Sequence, residues 1–384
     1  MCFAPRIFRQ MLAAGFTVYV CSSFCECRWL ILLCPSAQIL VMLDACFSQK
    51  RRRTAGGQYD AQREHPQSCF LSEEAVKAAE EFVEMLRPSK AERASDQGVP
   101  LDEDDRTEEG MQVPNSILDS CHDSFKAADE KRVKASTQYF ADTGLMALVC
   151  RHDRVLFLAN MKSAGEKQYY AFALVFELLK NLPPDVTIGL LYDVACTFER
   201  SCRLYGFLGD HLRRFKFAVS VLHAYGHEWA CQLVYHPRKC CCFGLCDGEG
   251  CERLWAILRY LIGPLRVCGV SVFCWSRAVS TWLIWWLYQF YQRKMILDEQ
   301  VYHNRRISFM QSAVWLVRKW KAVMSKKGEL EAQLAKLRES DEEVLSDSEL
   351  RSQFAQQVKS QTSPLPRKLL YHLTIMSLSL MLFS

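Results

Sequence analysis

The chain has 384 residues, of which 50% are hydrophobic and 24% are charged, and this balance excludes a fully disordered or collagen-like protein. A net charge of +5, from 48 Lys and Arg against 43 Asp and Glu, is too small to indicate nucleic-acid binding, so any DNA affinity must come from local basic clusters. The 19 cysteines, an odd number in a chain long enough to bury a sizeable core, favour reduced intracellular thiols with a candidate metal site over a disulfide scaffold.

The first ordered element that the sequence predicts is a buried strand. Residues 1–38 are rich in cysteine and apolar side chains without a clear period, and residues 11–20 imitate the apolar part of a secretory signal. Residues 39–43 form a short apolar run with β-branched members, which predicts a buried strand that stops at Asp44. A carboxylate is therefore expected at the carboxyl end of this strand.

A basic loop and an amphipathic helix follow this strand. The basic residues are Lys50, Arg51, Arg52 and Arg53. A glycine pair shortly after them predicts a turn or loop. Residues 72–87 place their apolar side chains on one helical face, with Ser72 as the N-cap. Residues 88–112 contain two prolines and an acidic run, and we expect a disordered, solvated insertion there.

The middle of the chain predicts a hairpin, a helix and a second buried strand. The apolar runs at 145–150 and 155–159 are separated by four polar residues and predict a β-hairpin. Residues 165–182 are helical up to a proline pair, and residues 186–192 form a strand that also stops at a carboxylate, Asp193. Because open α/β sheets place their sites beyond the carboxyl ends of strands, this pattern favours a metal-binding edge; strand-end aspartates that merely begin turns are the alternative.

Helices are predicted at 196–203, 210–221 and 249–261, and the last of these carries further acidic side chains. Glu249 and Glu252 are three residues apart and share one helical face. Either could supply a third hard oxygen ligand for a divalent cation. The alternative is an exposed helix start stabilised by the helix dipole. A leucine heptad at 326–338 is too short to demonstrate a coiled coil.

A group of three residues that precedes the third acid in the sequence suggests a zinc site. His223, His227 and Cys231 follow one another at intervals of four, so on a helix they would share one face and could ligate Zn2+. Gly226 weakens that helix and no CxxC pair completes a four-ligand set, which leaves hydrogen-bonding or core histidines as the alternative. Arg238 and Lys239, like the basic loop, are candidate phosphate contacts or a solvated surface cluster.

Three short apolar stretches raise the alternative of a multi-span membrane protein. They are residues 11–20, 278–291 and 369–383. At 1.5 Å per residue none is a clean span of the roughly 30 Å hydrocarbon core. Extension of the second stretch would carry Arg277 into the bilayer at high cost.

The motifs around these residues closely resemble those of the Kyakuja–Dileera–Zisupton (KDZ) transposases of the fungal type. They read LDACFSQKRRR (43–53), CRHDRVLFLANMKSAGEKQYYA (150–171), GLLYDVAC (189–196), HAYGHEWACQLVYHPRK (223–239) and GLCDGEGCERLW (244–255). The resemblance covers about residues 36–266, and five motifs in the family's order make it specific. It implies an α/β, ribonuclease H-like mixed sheet flanked by helices, with a long insertion after the first strand and a helical insertion before the third acid.

The resemblance implies a DDE-type transposase that cleaves and joins DNA with Mg2+ or Mn2+. It implies Asp44, Asp193 and Glu252 as the catalytic, metal-binding acids, with Glu249 as the alternate third acid. The partners expected are transposon ends and target DNA, bound by a nuclear homo-oligomer, with no small-molecule substrate. A DNA-binding relic that has lost the chemistry is the alternative.

The resemblance also divides the chain into parts. These are a Cys-rich remnant (1–38), the catalytic core (39–266), an atypical apolar segment (267–296), a helical region (297–368) and an apolar tail (369–384). The family-like sequence breaks at Val270 and resumes near Leu297. Because the apolar segment and the tail look unlike the motifs around them, we hypothesise a truncated or mis-spliced copy, with loss of activity as the alternative to an active enzyme.

Overall fold

The computed structural model describes residues 38–53, 65–87, 106–133, 139–267, 293–340 and 346–362. The three apolar stretches lie outside the described residues, as do nearly all of the N-terminal remnant, residues 88–105 of the acidic insertion and the C-terminal tail. Among the described helices, none combines the length and the apolar composition that crossing a membrane requires.

A mixed five-stranded sheet forms the centre of the protein. In chain order the strands are β1 (Ile39–Cys46), β2 (Arg51–Arg52), β3 (Phe140–Asp142), β4 (Gly144–Cys150), β5 (Val155–Met161), β6 (Ile188–Tyr192) and β7 (Phe215–Ala218). The spatial order of the large sheet is β5–β4–β1–β6–β7, and β2 pairs with β3 separately. The pairs among β5, β4 and β1 are antiparallel, whereas β1, β6 and β7 are parallel. This arrangement is compatible with a ribonuclease H-like fold.

Helices cover the sheet. In chain order they are α1 (Glu73–Leu86), α2 (Asn115–Val133), α3 (Gln168–Lys180), α4 (Ala195–Tyr205), α5 (Val221–Ala224), α6 (Trp229–Tyr235), α7 (Gly250–Leu258), α8 (Ile262–Val267), α9 (Arg293–Ser340) and α10 (Asp347–Thr362). The predicted helices at 72–87, 165–182, 196–203 and 249–261 correspond to α1, α3, α4 and α7. Ser72 caps α1 as predicted, because its side chain accepts a hydrogen bond from the Ala75 backbone N–H at 3.1 Å.

The sheet has an apolar core on each face because successive side chains of a strand point to opposite sides. Val41 and Leu43 of β1 belong to the cluster that contains Phe172 of α3. Leu40 and Met42, which alternate with them, belong to the opposite cluster with α7. Burial on both faces explains why β1 and β6 appear in the sequence as continuous apolar runs.

The predictions from the sequence differ from the structure at three places. β1 does not stop at Asp44 but continues to Cys46, because its antiparallel partner β4 keeps pairing beyond the end of β6. Residues 215–218, predicted as helix, form β7, since parallel pairing with β6 buries Phe215 and Phe217. The predicted basic loop includes β2, in which Arg51 pairs with Asp142 of β3.

Candidate functional site

The first two predicted acids lie side by side at one edge of the sheet. β1 and β6 are adjacent and parallel, and Leu43 lies opposite Tyr192, so the following residues are Asp44 and Asp193. Asp44 is still within its strand, whereas Asp193 is the first residue after β6. Both side chains are half-buried. Parallel pairing thus brings together two carboxylates that are far apart along the chain.

Two glycines allow α7 to approach this edge closely. Gly248 has a φ of +84°, and a Cβ there would lie 2.8 Å from the Cα of Ser220. A Cβ at Gly250 would lie 2.8 Å from the Sδ of Met42 on β1. Position 248 therefore requires glycine, and at position 250 any larger residue would have to displace the Met42 side chain.

Helix α7 then presents two functional side chains to the acids. Trp255 donates a hydrogen bond from Nε1 to Oδ2 of Asp44 at 2.5 Å. Glu252 lies one turn earlier on the same helical face. Leu254, between them, is buried in the core below and anchors the helix.

His223 bridges the second and third acids. Its Nδ1 lies 3.1 Å from Oδ2 of Asp193, and its Nε2 lies 3.1 Å from Oε1 of Glu252. The hydrogen bond to Glu252 raises the pKa of His223 to about 9, against the opposing effect of burial and with help from the charge of Asp193. A protonated imidazolium between two carboxylates therefore holds positive charge at the centre of the site.

Burial and mutual repulsion perturb the two aspartates. Burial raises the pKa of Asp44 to about 6, the hydrogen bond from Trp255 opposes the rise, and the charge of Glu252 adds to it. Burial also raises the pKa of Asp193 to about 8, with the neighbouring charge of Asp44 as the second cause. The ionised carboxylates thus repel one another at this site, and a bound cation would relieve that repulsion.

The chemistry of this acid cluster (Asp44, Asp193, Glu252) fits a divalent cation such as Mg2+ or Mn2+. Asp193, His223 and Glu252 each offer a ligand atom, and these atoms lie within 4.8 Å of one another. Oε2 of Glu252 is buried and has no hydrogen-bond partner among the described residues. An oxygen-rich site with an orphaned carboxylate oxygen suits hard cations. Glu249 instead accepts a hydrogen bond from the Leu222 backbone at 3.2 Å.

The three residues predicted to share a zinc-binding helical face do not share one. Helix α5 ends at Ala224, His227 lies in the turn that follows, and Cys231 lies on α6. The turn containing Gly226 separates the two helices, so that prediction of geometry is wrong. His223 joins the acids, whereas His227 and Cys231 form a second group with Cys121 of α2 and Cys196 of α4.

The residues predicted to bind phosphate differ in whether their side chains are exposed and able to contact DNA. Arg51 is held by Asp142, with Nε 2.5 Å from Oδ2. Lys50 is half-buried above the ring of Phe140, and burial lowers its pKa. Arg52 and Arg53 are exposed next to them.

On another part of the surface, Arg238 and Lys239 are exposed after α6. The Nζ of Lys239 lies 4.6 Å from the centroid of the Trp229 ring.

Sequence reasoning missed several residues that the structure brings to these sites. The spacing of His223 predicts a zinc ligand rather than a partner of the acids, and no pattern in the sequence predicts the contact of Trp255 with Asp44. Arg253, which joins Asp153 and Asp247, had no role. Cys121 and Cys196 were not connected to His227, although Cys196 follows Asp193 by three residues within the GLLYDVAC motif.

Comparison with known proteins identifies a family for this chain. The family model described as Kyakuja-Dileera-Zisupton transposase matches residues 37–275, which is more than half of the chain. The match includes β1, β6 and α7 and therefore all three acids of the cluster. No curated protein and no solved structure matches the chain.

Proposed function

The chain belongs to the Kyakuja-Dileera-Zisupton transposase family, and from that premise we propose that it cleaves DNA and transfers strands with divalent cations held by Asp44, Asp193 and Glu252. The observation that carries the proposal is the convergence of these acids. Asp44 and Asp193 end up adjacent through parallel strand pairing, and Glu252 reaches them from α7 through the His223 bridge.

Each side chain has a separate task in this proposal. Asp44, Asp193 and Glu252 bind the cations, and Trp255 fixes the orientation of the Asp44 carboxylate through its hydrogen bond. When bound, Mg2+ or Mn2+ ions supply an activated nucleophile and stabilise the leaving oxygen in phosphoryl transfer. His223 balances the carboxylate charge of the protein without cations and must release Asp193 or Glu252 when a cation binds.

The basic loop supplies the contacts to DNA. Lys50, Arg52 and Arg53 follow β1 and so lie beyond the strand that carries Asp44. Each phosphate contact contributes about −0.9 to the slope of log K against log salt concentration. We expect the double variant Arg52→Ala/Arg53→Ala to reduce that slope by about 2 in a fluorescence-anisotropy titration with duplex DNA. An unchanged slope would remove the basic loop from the interface.

The decisive experiment is a cleavage and strand-transfer assay on end-labelled DNA with Mn2+. We expect Asp193→Asn and Glu252→Gln to abolish cleavage, because each removes a charged ligand but keeps the shape of the side chain. Glu249→Gln is the matched control, since this glutamate lies in the same segment but outside the acid cluster.

The outcomes of this assay separate the hypotheses. Cleavage that survives Asp193→Asn contradicts the assignment of the acids. DNA binding without cleavage by the unaltered chain favours the relic that has lost the chemistry. A nuclear location and a homo-oligomeric assembly also belong to the proposal, and imaging of the tagged protein and analytical ultracentrifugation test them.

A further inference from the structure

Three thiols and one imidazole converge behind Asp193, apart from the acid cluster. They are Cys121 on α2, Cys196 on α4, His227 in the turn after α5, and Cys231 on α6. One ligand atom from each lies within 4.8 Å of the other three. The three cysteines are buried, with exposed fractions of 9%, 0% and 0% in chain order. Three helices and a turn from distant parts of the chain thus deliver four metal-binding groups to one point.

The distances suit ligands around a shared ion. Nδ1 of His227 lies 3.6 Å from Sγ of Cys196 and 3.4 Å from Sγ of Cys231. In a tetrahedral zinc site, bonds of about 2.3 Å to sulfur and about 2.0 Å to nitrogen place neighbouring ligand atoms about 3.5 Å apart. The observed separations are therefore those of ligands on adjacent corners of a zinc tetrahedron.

The contact of His227 with a backbone carbonyl provides an independent observation. Its Nε2 lies 2.8 Å from the backbone carbonyl oxygen of Asp193, so Nε2 carries the hydrogen and donates it. In the neutral ring, Nδ1 then carries a lone pair, and Nδ1 lies within 3.6 Å of the Cys196 and Cys231 thiols. A metal-bound histidine whose other nitrogen donates to a carbonyl is the usual arrangement at protein zinc sites.

We propose that Cys121, Cys196, His227 and Cys231 bind one structural Zn2+ ion. Four protein ligands fill the tetrahedron, so the site is closed and not catalytic. This inference goes beyond the proposed nuclease function and does not depend on it. The ion would fasten α2 to α4 and α6. Through His227 it would also fix the backbone of Asp193, a ligand of the acid cluster.

Metal analysis of the full chain tests the proposal. The chain, purified without chelator, should contain about one zinc per molecule by plasma mass spectrometry. Cys196→Ser and Cys231→Ser should lose this zinc. Cys202→Ser is the matched control, because Cys202 lies on the same helix α4 and is equally buried but outside the cluster. Stoichiometric zinc retained by Cys196→Ser would overturn the proposal.

A spectroscopic test on the unaltered chain does not depend on whether the variants fold. Replacement of the bound metal by Co2+ should give thiolate-to-cobalt charge-transfer bands and the intense visible bands of tetrahedral cobalt. A chain that takes up Co2+ without thiolate bands would refute the ligand set. A chain that contains no transition metal and binds none would refute the site.

A separate variant tests the connection to Asp193. His227→Cys can keep four ligands but removes the hydrogen bond to the Asp193 carbonyl. We expect this variant to retain zinc while its calorimetric affinity for Mn2+ at the acid cluster falls severalfold. Unchanged Mn2+ affinity, with zinc retained, would show that the ion does not position Asp193.

Discussion

Asp44→Asn should stabilise the protein in the absence of added Mn2+ and at the same time remove its response to Mn2+. The pKa of Asp44 is raised from 3.8 to about 6 by burial. An acid with a raised native pKa holds its proton more tightly in the folded state than in the unfolded state. The free energy of unfolding therefore falls as the pH rises from 3.8 to about 6, and this loss stays constant above that range. Asparagine carries no charge to bury, and its amide oxygen can still accept the hydrogen bond from Trp255.

The magnitude follows from the size of the pKa rise. At about 1.4 kcal/mol for each pKa unit, the rise corresponds to about 3 kcal/mol. Because Asp44 is only half-buried, we expect a gain of about 1–3 kcal/mol in the free energy of unfolding at pH 8. The gain should shrink to roughly half at pH 5 and vanish near the unfolded pKa.

Urea denaturation at pH 8 and pH 5 measures this effect, with and without Mn2+. Chelators are omitted, since they would also remove zinc from the thiol cluster. Added Mn2+ should stabilise the unaltered protein and leave Asp44→Asn nearly unchanged. Asp210→Asn, at an exposed position, is the control and should change stability by less than about 0.5 kcal/mol. The reasoning fails if Asp44→Asn is less stable than the unaltered protein at pH 8, or if Mn2+ stabilises both equally.

Three further predictions concern the same edge of the sheet. The affinity for Mn2+, measured by calorimetry, should rise between pH 6 and pH 8. The reason is that the cation displaces protons from Asp44 and Asp193, whose pKa values are about 6 and about 8. An affinity that does not change with pH would contradict these values. Gly248→Ala should lower the free energy of unfolding by about 2 kcal/mol or more, since its φ is +84° and a Cβ would meet Ser220. Gly263→Ala, where nothing lies within 4 Å, is the control and should be neutral or stabilising in the same urea titration. Arg253→Lys should cost about 1 kcal/mol by losing the two-pronged contacts with Asp153 and Asp247, whereas Arg259→Lys, at an exposed position, should leave the urea midpoint unchanged.

The amino-acid sequence alone determined the elements that carry their signal locally. β1 and β6 are buried on both faces, so each appears as an apolar run, and α1 shows its amphipathic period and its Ser72 cap. The motifs that contain Asp44, Asp193 and Glu252 also indicated the family that the family-model match shows.

Tertiary structure decided what depends on pairing between distant residues. β7 was predicted as helix because its strand conformation comes from pairing with β6 rather than from a local pattern. The spacing of His223 and His227 suggested one helical face, but the turn between α5 and α6 sends one histidine to the acids and the other to the thiols. Cys121 and Cys196 meet only because α2 packs near α4 and α6. Contacts of this kind depend on how helices pack over a sheet, and no periodicity within the sequence predicts them.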